Sequence, residues 1–206
     1  MKNVVLFDAD GTIFDSMDGI FGAVCNVFES EGINPPDYED YLINFRFPFG
    51  QYYRRYGVSL SDEEILRRYL ASYKAKHGEY NPPFFQDARN IIDWLHSKKC
   101  RAKVITANSI ENIMRVLSSA NFDDFIECKS AESKAEAIRE EIGKSKFGRM
   151  TPFVGDTCAD IEDGEKAGVF TVAVLRQRMR LAPQFLKAGA KICIPSLMDL
   201  TEVVTC

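Results

Sequence analysis

Short apolar segments alternate with amphipathic segments over most of the chain. Residues 3–7 form an apolar run that ends at an acidic, glycine-containing turn, which is typical of a buried parallel strand. From Gln86 onward the pattern predicts helices at residues 87–98, 109–119, 133–142, 160–167 and 183–188. Further apolar pieces predict strands at residues 102–106, 125–126, 151–155, 169–174 and 191–194. This alternation predicts an α/β fold, a doubly wound parallel sheet with a Rossmann-like core and helices on both faces.

A different pattern separates the first strand from the rest. After Ser16, apolar positions recur at helical spacing until Gly32, and Ser61 is a candidate N-cap before three acidic residues. A second helix is predicted through Tyr38 to Phe45, and the helix after Ser61 presents its apolar positions on one predicted face, at Ile65, Leu66, Tyr69, Leu70 and Tyr73. We predict a helical insertion at residues 17–85, with residues 1–16 and 86–206 forming the core.

Composition narrows the class of protein. With 206 residues, 46% hydrophobic and 27% charged, the chain fits one globular domain with a modest insertion. The net charge of -4 lacks the basic excess that nucleic-acid polymers require of a partner. No apolar run comes close in length to a membrane-spanning helix, which needs about 18 residues. Six cysteines without a C-x-x-C pair indicate a reducing compartment, so we expect a cytoplasmic, soluble protein.

Acidic residues follow two of the predicted strands. Asp8 and Asp10 come after the first, and Asp156 and Asp160 come after the strand at 151–155. Because parallel strands present their carboxyl ends at one edge of a sheet, we expect these side chains to converge. The carboxylates would repel one another unless a cation neutralised them, and hard oxygen ligands favour Mg²⁺. We therefore predict a Mg²⁺ site that also binds phosphate.

This set of residues suits phosphoryl transfer. A carboxylate freed from bulk water can attack phosphorus, and a second carboxyl two residues away can protonate the leaving oxygen and later deprotonate water. The Thr106 hydroxyl and the Ala107 amide lie at a predicted strand-to-helix turn, where they could bind phosphate oxygens. Lys134 could supply positive charge, although Lys129 lies five residues earlier and competes for that role.

Four segments resemble the motifs of one known family. The segments are FDADGTIFDS at 7–16, VITANS at 104–109, Lys134 and VGDTCAD at 154–160. Their order and the residue types are similar to those of the haloacid dehalogenase-like phosphohydrolases. The resemblance runs from Asn3 to about Leu175. The insertion at 17–85 resembles the helical cap of the phosphoglycolate phosphatase and β-phosphoglucomutase branch.

The resemblance implies a role for each matching residue. It makes Asp8 the nucleophile and a metal ligand, with Asp156 as a second ligand. Asp10 would be the acid/base, and its backbone carbonyl would reach Mg²⁺. Thr106 and Ala107, with Lys134, would hold the phosphate. Asp160 would support the metal's water shell or Lys134 rather than bind the metal directly.

The predicted activity is hydrolysis of a small phosphorylated metabolite, such as phosphoglycolate, a sugar phosphate or a nucleotide. Two alternatives remain open: a phosphomutase with the same two acids, and a non-catalytic protein that binds a phosphometabolite. Dehalogenation is disfavoured, because family members with that activity typically lack an acid at the position of Asp10. In the cap, Arg46, Arg54 and Arg55 are candidates to bind a second anionic group of the substrate. The sequence does not indicate the oligomeric state.

Overall fold

The computed structural model describes residues 3–46, 48–122, 126–131, 133–144 and 148–204. The chain divides into two compact units, one formed by Met1–Asp15 with Asn81–Cys206 and the other by Ser16–Tyr80. Among the described residues, no helix has both the length and the apolar composition needed to cross a membrane.

The first unit contains a parallel β-sheet. Its strands within the described residues are β1 (Val4–Phe7), β2 (Arg101–Thr106), β3 (Ile126–Ser130), β4 (Pro152–Gly155), β5 (Phe170–Val174) and β6 (Ile192–Ile194). They lie in the order β3-β2-β1-β4-β5-β6, and every neighbouring pair is parallel. Every residue of β1 is buried although its side chains alternate in direction, so both faces of the sheet are covered. The predicted α/β class is confirmed.

The β3 strand differs from its prediction. The sequence predicts a short apolar piece at 125–126; Phe125 lies outside the described residues, and the strand continues through polar positions to Ser130. Because β3 is at the edge of the sheet, most of its side chains are partly or fully exposed and need not be apolar. An apolar pattern therefore detects only its start.

The helices fall between the strands and in the second unit. In chain order they are α1 (Met17–Ser30), α2 (Tyr38–Asn44), α3 (Gly50–Arg55), α4 (Asp62–His77), α5 (Gln86–Ser97), α6 (Ile110–Ser119), α7 (Lys134–Ile142), α8 (Cys158–Ala167), α9 (Ala182–Ala188) and α10 (Leu200–Val203). Several begin at hydroxyl N-caps. The predicted cap of α4 is confirmed, because Ser61 Oγ accepts the backbone N–H of Glu64 at 3.2 Å.

Aromatic packing holds the second unit together. Phe28 of α1 contacts the rings of Tyr52 and Tyr53, with centroids 6.1 and 4.9 Å away. In α4, Ile65 is buried, but Leu66 and Leu70 are 42% and 55% exposed, so the predicted apolar face is only partly correct. Successive residues of a helix point about 100° apart. Leu66 therefore cannot face α1 together with its neighbour Ile65, and Leu70 cannot face it together with Tyr69.

Residues 81–85 belong to the first unit, although the predicted insertion extended to 85. The N–H of Asp15 donates to the carbonyl of Pro83 at 2.8 Å, and that of Phe85 donates to the carbonyl of Ile13 at 3.0 Å. The Phe14 and Phe84 rings meet edge to face with centroids 4.9 Å apart. These contacts join the returning chain to the residues that follow β1.

Candidate functional site

The turn after β1 carries the first pair of acids. Phe7 pairs with Val104 on one side and with Val154 on the other, so β1 ends beside both neighbouring strands. Asp8 is 4% exposed, and its N–H donates to the carbonyl of Val154 at 2.8 Å. Gly11 has a φ of 79°, a backbone conformation that glycine adopts without strain. The chain thereby turns sharply and leaves Asp8 at the strand end.

The turn after β4 carries the second pair. Asp156 is 1% exposed and Asp160 is 2% exposed. Asp160 is held by a capping box, in which its Oδ2 accepts the N–H and the hydroxyl of Thr157, at 3.2 and 2.5 Å, while its own N–H donates to that hydroxyl. A Cβ on Gly155 would lie 2.3 Å from Asp160 Cβ, so only glycine allows this approach.

Lys134 joins the two turns. As the first residue of α7, it extends its Nζ to Asp8 Oδ1 at 2.5 Å and to Asp160 Oδ1 at 2.7 Å. The competing Lys129 pairs with Glu140 on the surface instead. Of these two lysines, the structure therefore brings Lys134 to the acids.

Burial and mutual repulsion perturb the carboxylates. Burial raises the pKa of Asp8 well above its ordinary value; Lys134 opposes the shift, and the charge of Asp160 adds to it. Burial also raises the pKa of Asp156, again with a contribution from Asp160. Burial works against the charged form of Lys134, but Asp160 and Asp8 together raise its pKa. The charged forms of these carboxylates are therefore costly in the absence of further positive charge.

The carboxylate oxygens are suited to a metal ion. One oxygen from each of Asp8, Asp156 and Asp160 lies within 4.8 Å of the others. Asp156 Oδ1 accepts the hydroxyl of Thr12 at 3.2 Å, whereas its buried Oδ2 accepts no hydrogen bond from any residue that the structure describes. Three neighbouring carboxylates, of which Asp156 has an oxygen without a partner among the described residues, fit a hard divalent cation. The Asp10 carboxylate is outside this group, and only its backbone carbonyl is predicted to reach the metal.

The predicted phosphate-binding turn lies at the end of β2. Thr106 is 1% exposed, and its Oγ1 accepts the N–H of Asn108 at 3.0 Å. Ala107 is exposed, and Ser109 caps α6 by accepting the N–H of Asn112 at 3.2 Å. The turn therefore leads into the positive end of a helix dipole, as the sequence indicates.

Three further residues support this site; the sequence pattern indicates only that Asn108 lies near it and assigns chemistry to none of the three. The Thr12 hydroxyl holds Asp156, as described, and the Thr12 carbonyl accepts Arg176 Nη2 at 2.7 Å. Arg176 Nη1 bonds both oxygens of Asp87, at 2.9 and 2.8 Å. Asn108 Nδ2 donates to Asp10 Oδ2 at 3.2 Å. The polar end of β2 was a signal for Asn108, but the basic segment around Arg176 gave no sign of a partly buried ion pair with Asp87.

The three candidate arginines of the insertion have partners within the second unit. Arg46 Nη1 donates to the carbonyls of Ile43 and Phe45, both at 2.7 Å. Arg54 pairs with Asp62 at 2.6 Å, and the Arg55 guanidinium lies 5.8 Å from the centre of the Tyr56 ring. Their role in binding a substrate stays a prediction.

Comparison with known proteins matches the chain to a family model and to several relatives. The family model described as haloacid dehalogenase-like hydrolase matches residues 5–174. Pyrophosphatase PpaX of Halalkalibacterium halodurans is 24% identical over 98% of this chain and 96% of its own. Phosphoglycolate phosphatase of Synechococcus elongatus is 24% identical over 82% of each chain. A haloacid dehalogenase-like hydrolase of Streptococcus pneumoniae has a similar structure, with a TM-score of 0.76 at 19% identity over 98% of both chains.

Proposed function

The chain belongs to the haloacid dehalogenase-like hydrolases, and from this membership we propose that it is a Mg²⁺-dependent phosphatase. Its substrate is a small phosphorylated metabolite, and its reaction passes through an aspartyl phosphate. The observation that carries the proposal is the buried Asp8 carboxylate, bonded to Lys134 and close to Asp156 and Asp160. The names of pyrophosphatase PpaX and phosphoglycolate phosphatase support the same class of reaction.

Two carboxyl groups have separate roles in the proposed reaction: Asp8 is the nucleophile, and Asp10 transfers the protons. In the first step an oxygen of Asp8 attacks phosphorus, the bond to the leaving oxygen breaks, and Asp10 protonates that oxygen. In the second step water attacks the aspartyl phosphate, Asp10 takes its proton, and the bond to Asp8 breaks. The products are the alcohol and inorganic phosphate, and both aspartates return to their starting states.

Other residues bind the phosphoryl group and balance its charge. The Thr106 hydroxyl already accepts one hydrogen bond and keeps its proton for a phosphate oxygen, with the Ala107 N–H beside it. Lys134 offsets the negative charge that develops in the transition state. Mg²⁺, held by Asp8, Asp156 and the Asp10 carbonyl with Asp160 nearby, would neutralise the carboxylates and the phosphate. Asp160 also keeps Lys134 in place through its 2.7 Å bond.

The proposal is tested by assaying phosphate release from p-nitrophenyl phosphate and from a panel of phosphorylated metabolites. The panel contains phosphoglycolate, sugar phosphates, nucleotides and pyrophosphate. We expect turnover of p-nitrophenyl phosphate, and a higher kcat/KM for at least one metabolite. Isomerisation of a sugar phosphate without phosphate release would identify a phosphomutase. Saturable binding without any turnover would identify a binding protein, and both results would contradict the proposal.

Replacing Lys134 by Met should reduce kcat/KM for p-nitrophenyl phosphate by about 10²–10³, the usual effect of losing one group that stabilises transition-state charge. The methionine has a similar length but leaves Asp8 and Asp160 without their shared cation. The measurement is steady-state kinetics at saturating Mg²⁺, with thermal unfolding to establish that the variant is folded.

Lys129→Met is the matched control for this prediction. Lys129 is a lysine of the same unit whose partner, Glu140, is on the surface. Its replacement should leave kcat/KM within about twofold of the parent, because exposed ion pairs contribute little. Similar losses in both variants would show that the Lys134 effect comes from the lower net positive charge of the protein. It would then not come from the contact of Lys134 with Asp8 and Asp160.

A further inference from the structure

The side chain of Asn108 contacts the carboxyl group to which we assign the proton transfers. Asn108 is the second residue after β2, and its Nδ2 lies 3.2 Å from Asp10 Oδ2. Its backbone N–H is also bonded to Thr106 Oγ1, at 3.0 Å. Asn108 therefore contacts both the predicted acid/base and the predicted phosphate-binding hydroxyl.

Neighbouring donors fix the orientation of this amide. Asn108 Oδ1 accepts the backbone N–H of Ser109 at 2.8 Å and Nδ2 of Asn112 at 3.1 Å. A backbone N–H can only donate, so the atom that faces it must be the oxygen. Asn112 is oriented in the same way, because its own Oδ1 accepts Nη2 of Arg115 at 2.8 Å and a guanidinium can only donate. The NH₂ group of Asn108 is thereby directed at Asp10.

We propose that Asn108 is a positioning residue that holds the Asp10 carboxyl group in the orientation required for proton transfer. In this proposal the N–H of Asn108 donates to Oδ2, and Oδ1 is the atom that gives and takes the proton. In the first step this proton passes from Oδ1 to the leaving oxygen as its bond to phosphorus breaks. In the second step Oδ1 takes a proton from the attacking water. The inference rests on the proposed phosphatase function and adds a residue to it.

The test uses a series of phosphate monoesters whose leaving groups differ in basicity. A weakly basic leaving group such as p-nitrophenolate departs without protonation, whereas phenolate and especially an alkoxide depend on the acid. In Asn108→Ala we expect kcat/KM to fall at least about tenfold for an alkyl phosphate, less for phenyl phosphate, and within about twofold for p-nitrophenyl phosphate. The value of kcat/KM reports the steps up to loss of the leaving group, so it isolates the first proton transfer.

Asn108→Asp separates positioning from support of the fold. Aspartate keeps an oxygen for the N–H of Ser109 and the amide of Asn112, but it has no N–H for Asp10. A positioning role predicts a steeper dependence on leaving-group basicity in both variants. If the dependence in either folded variant equals that of the parent, the inference is wrong. Should Asn108→Ala fail to fold, Asn108→Asp decides the question by the same criterion.

Asn90→Ala is the matched control. Asn90 is an exposed asparagine on α5 that accepts a bond from Gln86, and its loss should leave the whole series unchanged. Turnover by the parent enzyme distinguishes failure of the proposed function from failure of the inference. Absence of turnover by the parent would overturn the proposed function and this inference with it. Turnover by the parent, with equal losses on all esters in the Asn108 variants, would overturn the inference alone.

Discussion

Replacing Asp8 by Asn is expected to reduce turnover at least about ten-thousandfold while the protein remains folded, because loss of a nucleophile removes most of the rate enhancement. The amide has the shape of the carboxylate but cannot form an acyl phosphate. Folding should survive, because burial raises the pKa of the Asp8 carboxyl and so disfavours its charged form, and Lys134 keeps its bond to Asp160. Phosphate release and circular dichroism measure the two halves of the prediction.

Asp15→Asn is the control for this variant. Asp15 belongs to the same segment but its side chain is exposed, so turnover should stay within about twofold of the parent. Acid quenching of the parent during turnover should trap a phosphorylated protein, and the Asp8 variant should give none. Turnover of the Asp8 variant within tenfold of the parent would remove Asp8 from the mechanism.

The parallel sheet was predictable because each of its central strands has a clear sequence signal. The β1, β4 and β5 strands are buried or nearly so, and burial on both faces favours a largely apolar run. Turn residues after β1 and β4 mark where the runs stop. The edge strand β3 lacks this signal, because exposed positions tolerate Glu127, Lys129 and Ser130.

The α3 helix was not predicted, and its stabilisation explains why. The helix has only six residues, which is too short to show a helical period. Tyr52 and Tyr53 are buried against Phe28, and the hydroxyl of Tyr52 donates to Asp40 Oδ2 at 2.9 Å. These contacts join segments that are distant in sequence, so no local pattern contains them.

Some residues of the candidate site could likewise be predicted from the sequence, and others could not. The topology of a parallel sheet is sufficient to bring Asp8 and Asp156 together, and both lie at strand ends in the structure. Spacing could not choose between Lys129 and Lys134, because the choice depends on where α7 begins. The bonds of Asn108 to Asp10 and of Arg176 to Thr12 link side chains and carbonyls from different turns. Such pairs become visible only when the turns are placed in space.

Chelation by EDTA is expected to reduce activity below detection, and added Mg²⁺ should restore it. Without a cation, the buried oxygens of Asp8, Asp156 and Asp160 repel one another and repel the substrate phosphate. Ca²⁺ should inhibit rather than restore activity, because its larger and looser coordination misplaces the attacking carboxylate. Phosphate release at a series of metal concentrations measures all three effects.

Thermal unfolding gives a second measurement of the same metal site that does not depend on turnover. Mg²⁺ should raise the Tm of the parent in proportion to the logarithm of its concentration, because a ligand that binds only the folded state stabilises it. The Asp156→Asn variant should lose this dependence, because it removes the negative charge of the carboxylate whose Oδ2 has no partner among the described residues. Asp93→Asn, which alters an exposed acid on α5, should retain it. Full activity in EDTA, or an equal Mg²⁺ response in both variants, would show that these carboxylates do not hold a metal required for the reaction.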